Sequence, residues 1–162
     1  MPENGSTLAV FYENWQNYQN LIIKAIAPLT SEQLTQRADP RLRSIDIILR
    51  HVIGARARWF HQMMGIGDEE FISMGGWDRQ DAPERSAAEL VHGLEKTWSV
   101  MSEAISSWTE EDWHITYQND PGDEPETFTR QWIIWHLIEH DIHHGGEVSL
   151  TLGMHGLQAP DL

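Results

Sequence analysis

Apolar residues spaced three and four positions apart recur in four long segments of this 162-residue chain. That spacing places them on one face of an α-helix, whereas a half-buried strand requires alternation at every second residue. No segment alternates at period two for long enough to build a sheet. The spacing therefore predicts an all-α fold in which four long helices pack as a bundle.

Capping and helix-breaking residues set the limits of these helices. Pro28 ends the first helix because proline cannot continue it, and Thr30 or Ser31 caps a short turn in "TSEQL". The segments "GGWDRQDAPERS" and "TEEDWHITYQNDPGDEPET" are predicted as loops, the second with at most one helical turn and a short extended piece near Ile115. The four predicted helices are Thr7–Ala27, Ser44–Met64, Ser86–Trp108 and Thr129–Leu152. We expect one domain over residues 1–162, an up-down four-helix bundle with long crossover loops.

The excess of acidic residues makes anionic partners unfavourable. The chain has 11 basic and 25 acidic residues, a formal net charge of −14. This charge repels phosphate backbones and anionic membranes, so we expect no nucleic-acid or membrane partner. No apolar run approaches the roughly 20 residues of a membrane span, and no signal-peptide pattern opens the chain. Because cysteine is absent, disulfides, thiolate-bound zinc and a cysteine nucleophile are excluded, and we expect a cytoplasmic protein.

Eight tryptophans are a high number for a chain of this length. Their large apolar rings belong in a core or in the lining of a pocket. We predict that several of them line an interior cavity. Trp59 and the two tryptophans of "WIIW" lie in the core in one interpretation, and form an apolar wall of a metal pocket in the other.

The segment "HLIEHDIHHGGE", which starts at His136, contains four histidines in nine residues. Two of them continue a stripe of aliphatic residues on the last helix. That stripe comprises Ile133, Leu137, His140, His144 and Val148. His136 and His143 lie on a neighbouring, more polar stripe. A helix rises 1.5 Å per residue, so His136 and His144 are about 12 Å apart and cannot share one ion with bonds of about 2.1 Å. His140 and His144 are the predicted ligand pair.

A third ligand is predicted on the second helix, where His51 lies on the inward stripe with Ile48, Ala55 and Trp59. Three imidazoles around one ion, with one position open, are typical of a catalytic metal site. Glu147, one turn after His144, is the nearest residue to orient a ligand ring. Asp141 is a second candidate for proton relay, and His143 is predicted at the rim of the site with a possible orienting role.

Two segments resemble the signature segments of the DinB-like superfamily of four-helix-bundle proteins: "SIDIILRHVIGARARW" and "HLIEHDIHHGGEVSLTLGMHGL". The similarity includes "FYENWQNY" and the "LTSEQL" turn, and so extends over nearly the whole chain. In that superfamily one histidine of the second helix joins a histidine pair of H-x-x-x-H spacing on the last helix. Carried over position by position, the resemblance assigns the metal ligands to His51, His140 and His144.

The resemblance also implies a function. It implies one divalent ion, zinc or nickel, and an enzyme that activates a low-molecular-weight thiol for group transfer; hydrolysis is the other reaction considered. It further implies a homodimer. Many relatives carry an Arg-Gly-Gln triplet after the last ligand, where this chain has Gly145, Gly146 and Glu147. Each glycine inside a helix costs roughly 1 kcal/mol relative to alanine, so we expect close helix packing or a kink there.

Two other interpretations compete with this function. In the first, the ion only stabilises the bundle, and the protein is a non-catalytic stress or interaction protein. In the second, "HLIEH" is the H-x-x-E-H motif of inverted zinc peptidases, with His136 and His140 as ligands and Glu139 as the base. No function is predicted for the remaining histidines. Those are His61, His92, His114 and His155.

Overall fold

The computed structural model describes residues 7–118 and 126–161, which are mostly helical. The helices are α1 Thr7–Ile26, α2 Ser31–Leu34, α3 Ile45–Arg58, a π-helical turn Trp59–Met63, α4 Glu69–Met74, α5 Ala87–Ser107, a 3₁₀ turn Glu111–His114 and α6 Arg130–Met154. Two strands, β1 Thr116–Gln118 and β2 Thr127–Thr129, pair in an antiparallel hairpin. Part of the second predicted loop, residues 119–125, lies outside the described residues.

Side-chain caps explain why the predicted helix starts agree with the structure. Thr30, Ser44, Ser86 and Thr129 each accept a hydrogen bond from a backbone N–H in the first turn of the following helix. This bond satisfies one of the donors that a helix start leaves unpaired. Each cap therefore fixes the residue at which its helix begins.

The structure differs from the all-α prediction in three places. The β1–β2 hairpin has strands of only three residues, which are too short for a period-two pattern to be visible. The short helix α4, capped by Asp68, was not predicted. The second long helix ends in a π-helical turn that apolar spacing does not distinguish from an α-helix.

The four long helices contact one another in a closed series, in which α3 packs against α5 and α6, and α1 packs against the same two helices. The residues between them are apolar and almost inaccessible to solvent. Ile26, Ile53, Met101 and Leu137, one from each long helix, have 0% of their surface exposed. Burial of such side chains stabilises the fold by roughly 1.5–3 kcal/mol each.

A buried ion pair joins all four long helices through side chains. The Arg56 guanidinium on α3 donates to the Asp141 carboxylate on α6, with Nη2 2.6 Å from Oδ2. Arg56 Nη1 also donates to Gln19 of α1 and Thr97 of α5, and Trp15 Nε1 of α1 donates to Asp141 Oδ2 at 2.7 Å. We refer to these five residues as the Arg56 network. A buried pair needs such additional hydrogen bonds to offset the cost of desolvation.

The glycine pair of α6 has two different environments. A Cβ added at Gly145 would lie 2.2 Å from the Tyr18 hydroxyl oxygen, whereas a Cβ at Gly146 would meet nothing within 4 Å. The Tyr18 hydroxyl donates to the Ile142 carbonyl at 3.1 Å. Close packing of α1 on α6 therefore accounts for Gly145 but not for Gly146.

Replacing Asp141 with alanine leaves the Arg56 guanidinium buried without its counter-charge. We expect Asp141→Ala to lower the free energy of unfolding by about 3–5 kcal/mol, measured by urea denaturation. The control is Asp39→Ala, which removes an ion pair whose Arg41 side chain is 88% exposed and should leave stability close to the wild-type value. Equal effects of the two substitutions would contradict a structural role for the Arg56 network.

Candidate metal centre

The three predicted ligands meet between two helices. His51 of α3 and His140 and His144 of α6 each offer a nitrogen atom, and these atoms lie within 4.8 Å of one another. His51 Nε2 is 3.1 Å from His140 Nε2. The ring centroids of His51 are 4.9 and 5.0 Å from those of His140 and His144. The imidazoles that the helical spacing placed on facing stripes therefore converge, and we call them the histidine triad.

The geometry of the triad suits a metal ion. Two nitrogens bound to a tetrahedral ion at 2.0–2.1 Å are roughly 3.4 Å apart, close to the 3.1 Å between the His51 and His140 nitrogens. His140 Nδ1 is buried and has no hydrogen-bond partner within residues 7–118 and 126–161. The spacing of the three ring nitrogens, all within 4.8 Å of one another, thus fits a divalent ion held between the rings.

Burial favours the neutral rings that a metal requires. Desolvation is the largest of the effects that together lower the pKa of His140 to about 3, and nearby His144 and His51 contribute to the same shift. Desolvation also lowers the pKa of His144, against the opposing effect of its hydrogen bond to Glu147. At neutral pH, both rings on α6 therefore present lone pairs.

Carboxylates contact the Nδ1 atoms of two of the three rings. His51 Nδ1 lies 2.8 Å from Asp78 Oδ2, and His144 Nδ1 lies 2.6 Å from Glu147 Oε2. Because a carboxylate only accepts, His51 Nδ1 donates to Asp78. His144 Nδ1 lies 3.3 Å from the donor Arg43 Nη2 but only 2.6 Å from Glu147, so we assign its proton to the shorter contact, which leaves each Nε2 free to bind a metal. Arg58 in turn donates to both oxygens of Asp78, at 2.6 and 2.9 Å. This arrangement fixes the orientation of the rings.

The structure distinguishes among the other candidates near the triad. Glu147 contacts the His144 ring, and Arg43 lies 3.3 Å from the Glu147 carboxylate. His143 is at the rim, with its side chain 69% exposed and 3.9 Å from Glu147. Asp141 contacts Arg56 and Trp15 instead of a triad ring. His143, His144 and Glu147 form a second cluster of possible ligand atoms, but it shares His144 and faces the cationic Arg43.

Asp78 was missed by sequence reasoning. It lies in the "GGWDRQDAPERS" segment, where no helical period assigns a direction to a side chain. The only signal in the sequence was that Asp78 is an acidic residue in a loop, since loops often carry functional residues.

The H-x-x-E-H motif has a different geometry from a peptidase site. Glu139 is 3.2 Å from His136 Nδ1, and the His136 and His140 rings are 6.0 Å apart. In the described ranges, no group of three neighbouring ligand atoms includes His136. The pair His136–Glu139 is therefore a local contact on α6, and the third ligand that a peptidase needs is not beside it.

A cavity of about 990 Å³ lies on the other side of α6 from the triad. It lies between α1, α6 and the 3₁₀ turn. Its apolar lining includes Val10, Phe11, Trp113, Trp135 and Ile142. Trp15, Trp113 and Trp135 line this cavity, but it is open to solvent, with Trp135 59% exposed, whereas an interior cavity was predicted. Its lining does not include any triad residue.

The fold and the triad define a mostly helical protein whose facing helices present three histidines suited to a divalent metal ion. The family model of the DinB family matches residues 1–162, so the chain belongs to the DinB family. A DinB-like protein from Bacillus cereus ATCC 10987 is 23% identical with a TM-score of 0.72, over 94% of this chain and 95% of that one. A conserved protein from Enterococcus faecalis is 14% identical with a TM-score of 0.66, over 93% and 99%. None of the curated proteins matches the chain.

Within the part of the chain that the structure describes, every helix is too short or too polar to cross a bilayer. This finding agrees with the absence of a long apolar run in the sequence.

The depressed pKa of His140 predicts a pH dependence of stability in the metal-free protein. The unfolded state has a histidine pKa near 6.5, so it binds more protons than the folded state between about pH 3 and 6.5, and stability falls as pH is lowered through this window. We expect the urea midpoint of protein in EDTA to decrease from pH 7.5 to pH 5. His140→Gln should reduce this decrease, whereas His114→Gln, at an exposed position, should preserve it. An undiminished decrease in His140→Gln would contradict the burial argument.

Proposed function

We propose that this protein is a metal-dependent enzyme that binds one divalent ion through His51, His140 and His144. The observation that supports the proposal is the convergence of three ring nitrogens within 4.8 Å. Imidazole nitrogen suits zinc and nickel among the available divalent ions. We place the site inside an up-down four-helix bundle formed by α1, α3, α5 and α6, in a single domain over residues 1–162.

The proposed reaction is transfer of a thiol group, with hydrolysis as the second possibility. When bound, the ion supplies a Lewis acid that lowers the pKa of a water or thiol group toward neutrality. Asp78 and Glu147 accept the Nδ1 protons of His51 and His144, and so hold each Nε2 toward the ion. Burial keeps His140 neutral. The substrate class, a low-molecular-weight thiol, comes from the family resemblance.

The number of protein ligands favours an enzyme over a metal-stabilised interaction protein. A structural zinc site is closed by four protein ligands, whereas a catalytic site has three and an open position. Among residues 7–118 and 126–161, the triad cluster contains three side chains and no fourth. The His51 side chain is 29% exposed, so small molecules have access to this position.

Metal analysis of purified variants tests the proposal. We expect zinc-loaded wild-type protein to retain about one equivalent after desalting, measured by inductively coupled plasma mass spectrometry, and His51→Ala and His144→Ala to retain little. His136→Ala should retain the wild-type amount. Asp78→Ala should weaken zinc affinity by about 10- to 100-fold, because the His51 ring loses its orienting partner.

Loss of zinc in His136→Ala with full retention in His51→Ala would contradict the triad and favour the inverted-peptidase arrangement. Retention of zinc by all three histidine variants would contradict histidine ligation.

We also propose a homodimer in which a second copy covers the cavity between α1 and α6. Phe11 and Trp135 are 57% and 59% exposed, and contiguous exposed apolar surface of this kind marks interaction sites. The net charge of −14 opposes association of two copies at any face. The cavity lining contains one acidic residue, Glu110, so local charge adds little to that repulsion there.

Sedimentation velocity tests this interface. We expect the wild type to sediment as a dimer of two 18.7-kDa chains and Phe11→Glu to sediment as a monomer, because the substitution places a charge in the apolar contact. Leu150→Glu is the control, since Leu150 is equally exposed at 59% but lies outside the cavity lining. A monomeric wild type would refute the proposed dimer.

A further inference from the structure

Four aromatic rings meet beside the histidine triad, and the proposed metal chemistry does not use them. Phe128 of β2, Trp59 of the π-helical turn, and Trp132 and His136 of α6 form this group, which we call the aromatic wall. The Trp132 ring centroid lies 4.5 Å from that of Phe128 and 5.6 Å from that of Trp59. Three separate elements of the chain therefore bring rings to one place.

The aromatic wall is continuous with the triad. Trp132, His136, His140 and His144 follow one another at four-residue steps on α6, and successive ring centroids are 5.0, 6.0 and 4.4 Å apart. Trp132 and His136 are parallel to within 10°. Trp59 lies two turns after His51 on the neighbouring helix and contacts His136 at 5.0 Å. A molecule bound at the triad therefore has aromatic surface next to it.

Part of this surface faces solvent. Trp132 is 40% exposed, whereas the core tryptophans Trp15 and Trp98 are 3% and 8% exposed. The His136 side chain is 27% exposed. An aromatic residue that packs on three other rings, yet leaves much of its own ring uncovered, offers a preformed stacking surface for a ligand.

The two ends of the site differ in polarity. At the His144 end, the Glu147 carboxylate and the Arg43 guanidinium lie 3.3 Å apart. At the other end, the wall consists of aromatic rings, and the only ion pair that its own residues form within the described ranges is that of His136 with Glu139. A ligand that spans the site in the direction of Trp132 meets a surface that favours a flat, apolar group.

We propose that the aromatic wall binds an aromatic ring of the substrate whose donor atom binds the metal at the triad. This inference rests on the proposed function and adds the substrate class: an aryl-substituted small molecule with a metal-binding thiol or comparable group. Trp132 supplies the exposed stacking face. Trp59 and Phe128 hold the Trp132 ring from the protein side.

Two probes with the same metal-binding group and different substituents test the inference. Acetohydroxamate carries a methyl group and benzohydroxamate carries a phenyl ring, and their dissociation constants are measured by calorimetry on zinc-loaded protein. We expect the wild type to bind benzohydroxamate about tenfold more tightly, the ratio that ring stacking contributes. Trp132→Ala should reduce this preference, measured as the ratio of the two dissociation constants, to within about twofold.

Two further variants separate stacking from a general loss of structure. Trp132→Phe should restore most of the preference for benzohydroxamate, since it restores an aromatic face. Trp135→Ala is the matched control, because Trp135 is an exposed tryptophan of the same helix that lines the opposite cavity. It should keep the full preference. Zinc content is determined for every variant, so that changes in affinity are compared at equal metal occupancy.

The outcomes distinguish this inference from the proposed function. A wild type that retains zinc but prefers neither hydroxamate would overturn the aromatic wall as a substrate site and leave the metal centre intact. The same conclusion follows if Trp132→Ala keeps the tenfold preference. A wild type that retains no zinc would refute the proposed function, and the inference with it.

Discussion

The buried pair of Arg56 and Asp141 is the interaction on which the rest of the structure depends. Asp141 follows His140 directly on α6, and Arg56 lies on α3 with His51, so their 2.6 Å contact fixes the two histidine-bearing helices in register. Because ionic groups without partners are costly in a protein interior, the pair admits few alternative registers. The convergence of three ring nitrogens is a consequence of that constraint, together with the close approach of α1 to Gly145.

The triad combines a partly buried ring, that of His140, with two rings that are each oriented by a carboxylate. Desolvation disfavours protonation of His140, while Asp78 and Glu147 orient the rings on either side of it. A metal ion would join three rings whose orientation and protonation are already suitable, which lowers the reorganisation that binding requires. The surroundings of the triad are asymmetric: an ion pair lies beyond His144, and aromatic rings extend toward Trp132. Under the proposed function, this asymmetry would select one substrate orientation.

The parts predictable from sequence were those with a helical period. His140 and His144 share a stripe with Leu137, and His51 shares one with Ala55, so spacing alone predicted that these three rings face one another. Asp78 was not predictable, because it reaches His51 from a loop whose path depends on tertiary contacts. A short extended piece was predicted near Ile115, where β1 begins at Thr116, but its pairing with β2 was not, since strands of three residues are too short for a pattern. The solvent exposure of Trp132 was not predictable either. Composition indicates that most tryptophans are buried, but it does not indicate which ring is exposed.

The measurement that tests the central claim most directly is the crystal structure of zinc-soaked protein with anomalous data collected at the zinc edge. We predict a single anomalous peak within about 2.0–2.1 Å of one nitrogen of each of His51, His140 and His144, with an exchangeable small-molecule ligand completing the coordination. A peak held by surface carboxylates, or no peak between α3 and α6, would contradict the account.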